Sequence, residues 1–232
     1  MTPDGPGAPA HDLVPTGAAP VDELLGGGLA PDGLTEVYGE GGTGKTILCL
    51  SAAIRVALSD RWVFYVDTEG VSTDRLRSMS GGSADRGLRR LLLASPPGLE
   101  DQTEAVRTAC ALARDGRRKV GLLVLDSATL YYRLALGTPG EDEGRGALMG
   151  QLAGLLSTAL AAHVPVLFTN QVWRNVSSGE LEPIGGSFVN HLSKTILRFD
   201  RLAGGRRRAV LVKHRDRPEQ ETTFRITARG LE

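Results

Sequence analysis

The run Gly39, Glu40, Gly41, Gly42, Thr43, Gly44, Lys45 and Thr46 matches the pattern Gly-x-x-x-x-Gly-Lys-Ser/Thr, which suits a triphosphate. Its glycines let the backbone curl until successive amide N–H groups converge on phosphate oxygens. The partial positive charge of a following helix N-terminus acts at the same point. Lys45 would neutralise the β and γ phosphates. Thr46 would offer its hydroxyl to magnesium, an ion that keeps several waters and needs only one or two protein oxygens. ATP and Mg2+ are the expected ligands.

A phosphate loop needs an acidic partner for the metal at the end of a neighbouring buried strand. Leu122, Leu123, Val124, Leu125 and Asp126 have that pattern, so Asp126 joins Thr46 as a metal-site candidate, although an acid in this place also serves as a helix cap or turn residue. Hydrolysis further needs a group that orients and polarises the attacking water. Asp67, Thr68, Glu69 and Gly70 follow another apolar run, Trp62 to Val66, and Glu69 is the better candidate. Gln171, after Asn170, could sense the γ-phosphate, or the two could be an ordinary hydrogen-bonding pair at a strand end. The C-terminal strand ends of a parallel sheet share one edge, so these groups can converge beside the loop.

Alternating strands and helices would position them. Leu34 to Tyr38 reads as a strand running into the glycine loop, and Ile47, Leu50, Ile54 and Leu58 recur at helical spacing after it. Strands are expected at Trp62 to Val66, Arg90 to Ala94, Val120 to Leu125 and Val164 to Thr169, with helices at Val21 to Leu29, Asp74 to Met79, Glu100 to Arg114 and Leu148 to Leu160. Thr195 to Phe199, Ala209 to Val212 and Phe224 to Ile226 then follow without long helices between them. The expectation is an α/β fold whose mixed, mainly parallel sheet is flanked by helices and ends in antiparallel C-terminal edge strands. Residues 1–15, rich in Pro, Gly and Ala near the start, are expected to be a flexible tail.

Composition narrows the classes. The chain has 232 residues, 41% of them hydrophobic, with 27 basic and 27 acidic side chains, which excludes a disordered chain and any global field that would attract polyanions. The two cysteines, Cys49 and Cys110, lie in apolar helix-like stretches and read as buried thiols of a reducing cytoplasm. No basic cluster or apolar run marks a signal peptide at the start. Gly146 to Trp173 lacks formal charge and exceeds the about 20 residues a bilayer needs. Its helical periodicity and Pro165 argue for a buried helix and strand, so no membrane is expected.

Several segments in this order resemble the RecA/RadA recombinase superfamily, and within it the RadB group of short archaeal paralogues. They are ThrGlyAlaAlaProValAspGluLeuLeuGlyGlyGly from Thr16, TyrGlyGluGlyGlyThrGlyLysThr from Tyr38, TyrValAspThrGluGly from Tyr65, LeuLeuValLeuAspSer from Leu122, ThrAsnGlnVal from Thr169, ProIleGlyGly from Pro183 and LysHisArgAspArgPro from Lys213. The resemblance implies a single RecA-like P-loop ATPase core over residues 16–232, with Glu69 as the catalytic carboxylate. It also implies that Arg75 stacks on adenine, as a guanidinium plane can. Lys213 and Arg215 would reach the γ-phosphate of a neighbouring subunit's nucleotide, so that a homo-oligomer shares its ATP site; otherwise they are the charges of a solvated edge strand. The N-terminal stretch has no Phe and lacks room for the helix-hairpin-helix domain of the main recombinases, which argues against long filaments.

The C-terminal region carries Arg198, Arg201, Arg206, Arg207, Arg208, Lys213, Arg215 and Arg217. Gly204 and Gly205 suggest a hairpin turn that projects Arg206, Arg207 and Arg208 toward DNA phosphates, or merely into solvent. Arg145, before Gly146, resembles part of one DNA-binding loop of the superfamily, and Val172 to Pro183 corresponds to another, shortened one. The resulting expectation is an ATP-binding recombinase paralogue of DNA repair with weak ATP hydrolysis. It would contact single-stranded DNA through phosphates and assist the main recombinase or other repair proteins rather than exchange strands. A KaiC-like signalling ATPase and a non-catalytic ATP-dependent adaptor are the alternatives.

Overall fold

The computed structural model describes residues 13–81, 88–174 and 181–232. In chain order its helices and strands are α1 (Ala19–Leu25), β1 (Leu34–Gly39), α2 (Lys45–Leu58), β2 (Trp62–Asp67), α3 (Thr73–Ser80), β3 (Leu91–Ala94), α4 (Leu99–Arg114), β4 (Val120–Asp126), α5 (Leu130–Ala135), α6 (Glu141–Ala162), β5 (Val166–Asn170), β6 (Val172–Arg174), β7 (Leu181–Pro183), α7 (Gly186–Leu192), β8 (Ser193–Arg201), β9 (Arg206–Lys213) and β10 (Gln220–Arg225). The main sheet has the order β10-β9-β8-β1-β5-β4-β2-β3. Pairings from β8 through β1, β5, β4 and β2 to β3 are parallel, and β9 pairs antiparallel with β8 and β10. This is the mixed sheet that the sequence pattern predicts.

Every residue of β1 is buried, as a central strand covered on both faces requires. Alternate side chains enter different cores. Val37, Val63, Leu122, Val124 and Leu167 pack with α1 and α2, while Leu34, Phe64, Leu123, Val166 and Phe168 pack with α4 and α6. The period of two along each strand fixes this division.

Several boundaries differ from the sequence reading. The packed chain includes Val14, which is buried and pairs with Leu29; residues 1–12 of the expected tail lie outside the described residues, as does Gly82. α6 begins at Glu141 rather than Leu148, since Glu141, Asp142 and Glu143 in its first turn complement the helix dipole. Leu148, Leu152, Leu155 and Ala159 form its buried face as expected, but Thr158 is buried too and donates its hydroxyl to the Gly154 carbonyl at 2.8 Å. No helix among the described residues is long and apolar enough to cross a membrane.

Candidate functional site

The phosphate loop joins β1 to α2 at the C-terminal edge of the parallel strands. Gly39 has φ +150°, and a Cβ there would lie 2.2 Å from the Phe199 carbonyl oxygen of β8. Only glycine fits so close an approach. Lys45, 8% exposed, donates from Nζ to the carbonyls of Gly39 at 2.8 Å and Glu40 at 3.0 Å. Burial lowers its pKa, with Glu69 and Asp126 acting in the opposite direction. Thr43 closes the loop by donating its hydroxyl to the Glu40 carbonyl at 2.8 Å.

Asp126 ends β4 and is 1% exposed. Its Oδ2 accepts from the Tyr65 hydroxyl at 2.7 Å and its Oδ1 from the Thr169 hydroxyl at 2.6 Å. Burial pushes the carboxyl up, while donation from Thr169, Tyr65 and Thr46 pulls it back toward the ionised form. Thr46 and Asp126 thus meet beside Lys45 as hard oxygen donors, a set that fits magnesium. The peptide after Asp126 is cis. Tyr65 and Thr169 are absent from the sequence-based candidates; each lies in the C-terminal half of its strand within a quoted segment, which is the signal that could have found them.

Glu69 lies in the turn after β2. The turn is tied down by Asp67, whose carboxylate accepts from the amides of Glu69 at 3.2 Å, Gly70 at 2.9 Å and Val71 at 2.6 Å. Asp67 is therefore spent on the turn, whereas Glu69 is exposed and accepts from Gln171 Nε2 at 2.5 Å. The neighbouring Asn170 points elsewhere: fully buried, it donates to Glu36 and to the Ile184 carbonyl, both at 2.8 Å. Adjacent residues at a strand end face opposite sides, so the expected pair divides.

Arg75 on α3 donates to the Thr227 carbonyl at 2.5 Å. Ile226, the residue before Thr227, lies 3.3 Å from a Cβ built on Gly44 of the loop. Arg75 is thus tied to the C-terminal segment that packs on the loop.

The C-terminal arginines depart from expectation. Arg207 Nε donates to the Gly42 carbonyl at 3.1 Å, and Arg201 Nη2 to the Gly41 carbonyl. Gly42 has φ +72°, and a Cβ on it would lie 2.7 Å from that Arg201 nitrogen. Arg208 pairs with Asp200 at 2.8 Å and with Glu221 at 3.4 Å. Arg206, Arg207 and Arg208 therefore do not project together: they open β9, whose pairing with β8 turns Arg207 toward the loop and Arg208 onto Asp200. Arg206 remains exposed at the turn.

Lys213 ends β9 and Arg215 follows it. Lys213 is in register with Ile196, which pairs with Glu36, whereas the loop residue Gly39 pairs with Phe199. Lys213 Nζ donates to the Asn190 carbonyl at 2.6 Å, and Arg215 pairs with Asp32 at 2.5 Å. Asp32 precedes β1, so both cations are directed away from this chain's own phosphate loop.

Arg145, paired with Glu141 at 3.1 Å, rims a cavity of about 520 Å³ between α5, α6 and the hairpin β6–β7, lined also by Tyr132, Met149, Trp173, Ile184 and Phe188. Trp173 is 47% exposed. Residues 175–180 of the shortened loop lie outside the described residues.

Comparison with known proteins adds an independent line. The family model described as Rad51 matches residues 12–232. The "DNA repair and recombination protein RadB" of Methanococcoides burtonii is 39% identical over 216 residues, covering 91% of this chain and 94% of that protein. Its counterpart in Methanoculleus marisnigri is 40% identical over 224 residues, with 95% and 97% covered. A solved structure described as "Crystal structure of the RadB recombinase" superposes with a TM-score of 0.79 at 36% identity, over 94% of this chain and 98% of that one.

Proposed function

The chain belongs to the Rad51 family, and from that premise we propose that it is a RadB-like ATP-binding protein of DNA repair and recombination that hydrolyses ATP slowly. The observation that carries the reading is the convergence of Lys45, Thr46, Asp126, Glu69 and Gln171 at the end of the glycine loop. Loop amides and Lys45 bind the phosphates, and Arg75 flanks the base. Thr46 and Asp126 hold Mg2+, which when bound neutralises charge developing on the phosphate oxygens.

Glu69 orients a water and takes its proton as the water oxygen bonds to the γ-phosphorus and the bond to the bridging oxygen breaks. Gln171 holds Glu69 and exchanges that contact for the γ-phosphate. Because Lys213 and Arg215 face away from their own loop, they serve a neighbouring copy's nucleotide, and full activity requires an oligomer. Single-stranded DNA lies along Arg145, the hairpin β6–β7 with Trp173, and Arg206, held by phosphate contacts and stacking. The protein assists or regulates a main recombinase.

The test is ATP hydrolysis measured with and without single-stranded DNA, with the Glu69→Gln protein as background. Turnover above that background, slow and little changed by DNA, supports the accessory reading. Strong stimulation by DNA would instead assign a DNA-coupled motor, and turnover equal to background would leave ATP as a binding ligand only.

A further inference from the structure

Glu36 lies in the middle of the central strand β1, with 0% exposure, and takes no part in the chemistry above. A carboxylate is costly there: burial pushes its pKa up to about 7, against donation from Asn170 and Ser193 and the charge of Lys213. A buried carboxylate of this cost in a central strand needs a use.

Its contacts supply one. Asn170 Nδ2 donates to Glu36 Oε1 at 2.8 Å and to the Ile184 carbonyl at 2.8 Å, while Asn170 Oδ1 accepts from the Thr129 hydroxyl at 3.0 Å. Ser193 Oγ lies 3.3 Å from Glu36 Oε2 and 3.0 Å from the Val189 carbonyl, which share its one proton. Thr129 has then used its proton and presents a lone pair to the Gln171 amide, 3.1 Å away. The Gln171 carbonyl accepts from the Ile184 amide at 3.0 Å. Glu36, Asn170, Thr129 and Ser193 are all buried, so water cannot replace a lost partner.

The polarity of this network is set by two acceptors. The ionised Glu36 carboxylate and the Ile184 carbonyl both require the nitrogen of the Asn170 amide on their side; that puts the oxygen toward Thr129, and Thr129 in turn orients toward Gln171. A flipped Asn170 would set its oxygen against both Glu36 and the Ile184 carbonyl.

We propose that Glu36 is a positioning residue that locks the Asn170 amide and thereby makes the Gln171–Glu69 pair and the end of the β6–β7 hairpin one mechanical unit. The catalytic consequence rests on the function proposed above for Glu69 and Gln171; the junction does not. The side-chain hydrogen bonds of Glu36 go to Asn170 and Ser193, and it acts through Asn170.

The test compares Glu36→Ala, Glu36→Gln, Asn170→Asp and the double variant Glu36→Gln/Asn170→Asp in the full chain. Hydrogen exchange at the Gln171 and Ile184 amides, without nucleotide, reads the junction; ATP affinity and kcat read its consequence. Expected for Glu36→Ala is exchange faster by at least about tenfold at both amides, with kcat lowered by at least about tenfold and ATP affinity kept within about twofold. Glu36→Gln, which still offers an acceptor oxygen, should recover most of both. Asn170→Asp sets acceptor against acceptor and should resemble Glu36→Ala, and the double variant, which restores a donor, should recover exchange in part.

If Glu36→Ala does not fold, Asn170→Asp and its rescue decide the question. Unchanged exchange in Asn170→Asp, absence of rescue in the double variant, or loss of ATP affinity as large as the loss of kcat would overturn the proposal. If the wild-type protein itself binds no ATP, the function proposed above fails, and the exchange data alone judge the junction.

Discussion

Gln171 Nε2 donates to Glu69 Oε1 at 2.5 Å although the two residues are 102 positions apart in the chain. They end different strands, β5 and β2, with β4 between them and Asp126 at its end. Glu69 thus stands beside the metal-site candidate, and its charge acts on Lys45. The other Gln171 side-chain atom, Oε1, is buried without a partner, which marks this amide as one whose hydrogen bonds are completed by something else.

Glu69→Gln should bind ATP as the wild type does and lose turnover by about a hundredfold or more, the range for removal of a general base. Calorimetry and phosphate release measure the two quantities. Equal turnover in the variant would remove Glu69 from the mechanism.

Lys45→Ala should weaken ATP binding by at least about a hundredfold, because the phosphates lose a charge-assisted donor within a buried site. The Gly39 carbonyl would lose the Lys45 donor, while the Glu40 carbonyl keeps the Thr43 hydroxyl, so the variant should also melt earlier. Unaltered affinity by calorimetry would refute the assignment of the loop.

The arginines of β9 should separate by role. Arg206→Ala is expected to lower the slope of log affinity for DNA against log salt by about 1, the loss of one phosphate contact. Arg208→Ala should leave that slope unchanged and lower stability by ~1 kcal/mol, because its partner Asp200 is largely shielded from solvent, at 26% exposure. Salt titrations of DNA binding and denaturant melts distinguish them; an equal change of slope in both variants would return Arg208 to the DNA surface.

Glu36 should make stability pH-dependent. Its carboxyl titrates at about 7 in the fold against 4.5 ordinarily, so the folded state holds the proton more tightly. The unfolded chain releases it first, and the fold loses stability as pH rises through that window, by up to about 3 kcal/mol at roughly 1.4 kcal/mol per pH unit. Lys213 is the charged group that opposes this shift. Glu36→Gln carries no such proton, so its stability relative to wild type should grow from about pH 4.5 to about pH 7 in denaturant titrations. A constant difference would mean that Glu36 ionises normally.

Much of this was legible in the chain. The glycine loop, the apolar runs ending in Asp67 and Asp126, and the ThrAsnGln segment are local patterns, and each occupies a strand end as its pattern predicts. Glu36 was also visible, as a carboxylate inside the strand expected at Leu34 to Tyr38, but a lone charge in a strand says nothing about its partners. Those come from β5, β8 and β9, segments more than a hundred residues away.

The amino-acid sequence by itself determined which short segments become strands, where the phosphates would lie, and which residue types stand beside them, because periodicity, glycine geometry and strand-end acids act over a few residues. Only the tertiary structure decided which way those residues face. Strand order and register separate Gln171, at Glu69, from Asn170, at Glu36; they turn Arg207 to the loop and Arg208 to Asp200, and carry Lys213 to the opposite end from Gly39. A shift of one residue in any pairing would exchange the faces, and pairing partners are set by packing across the whole sheet rather than by neighbours in the chain.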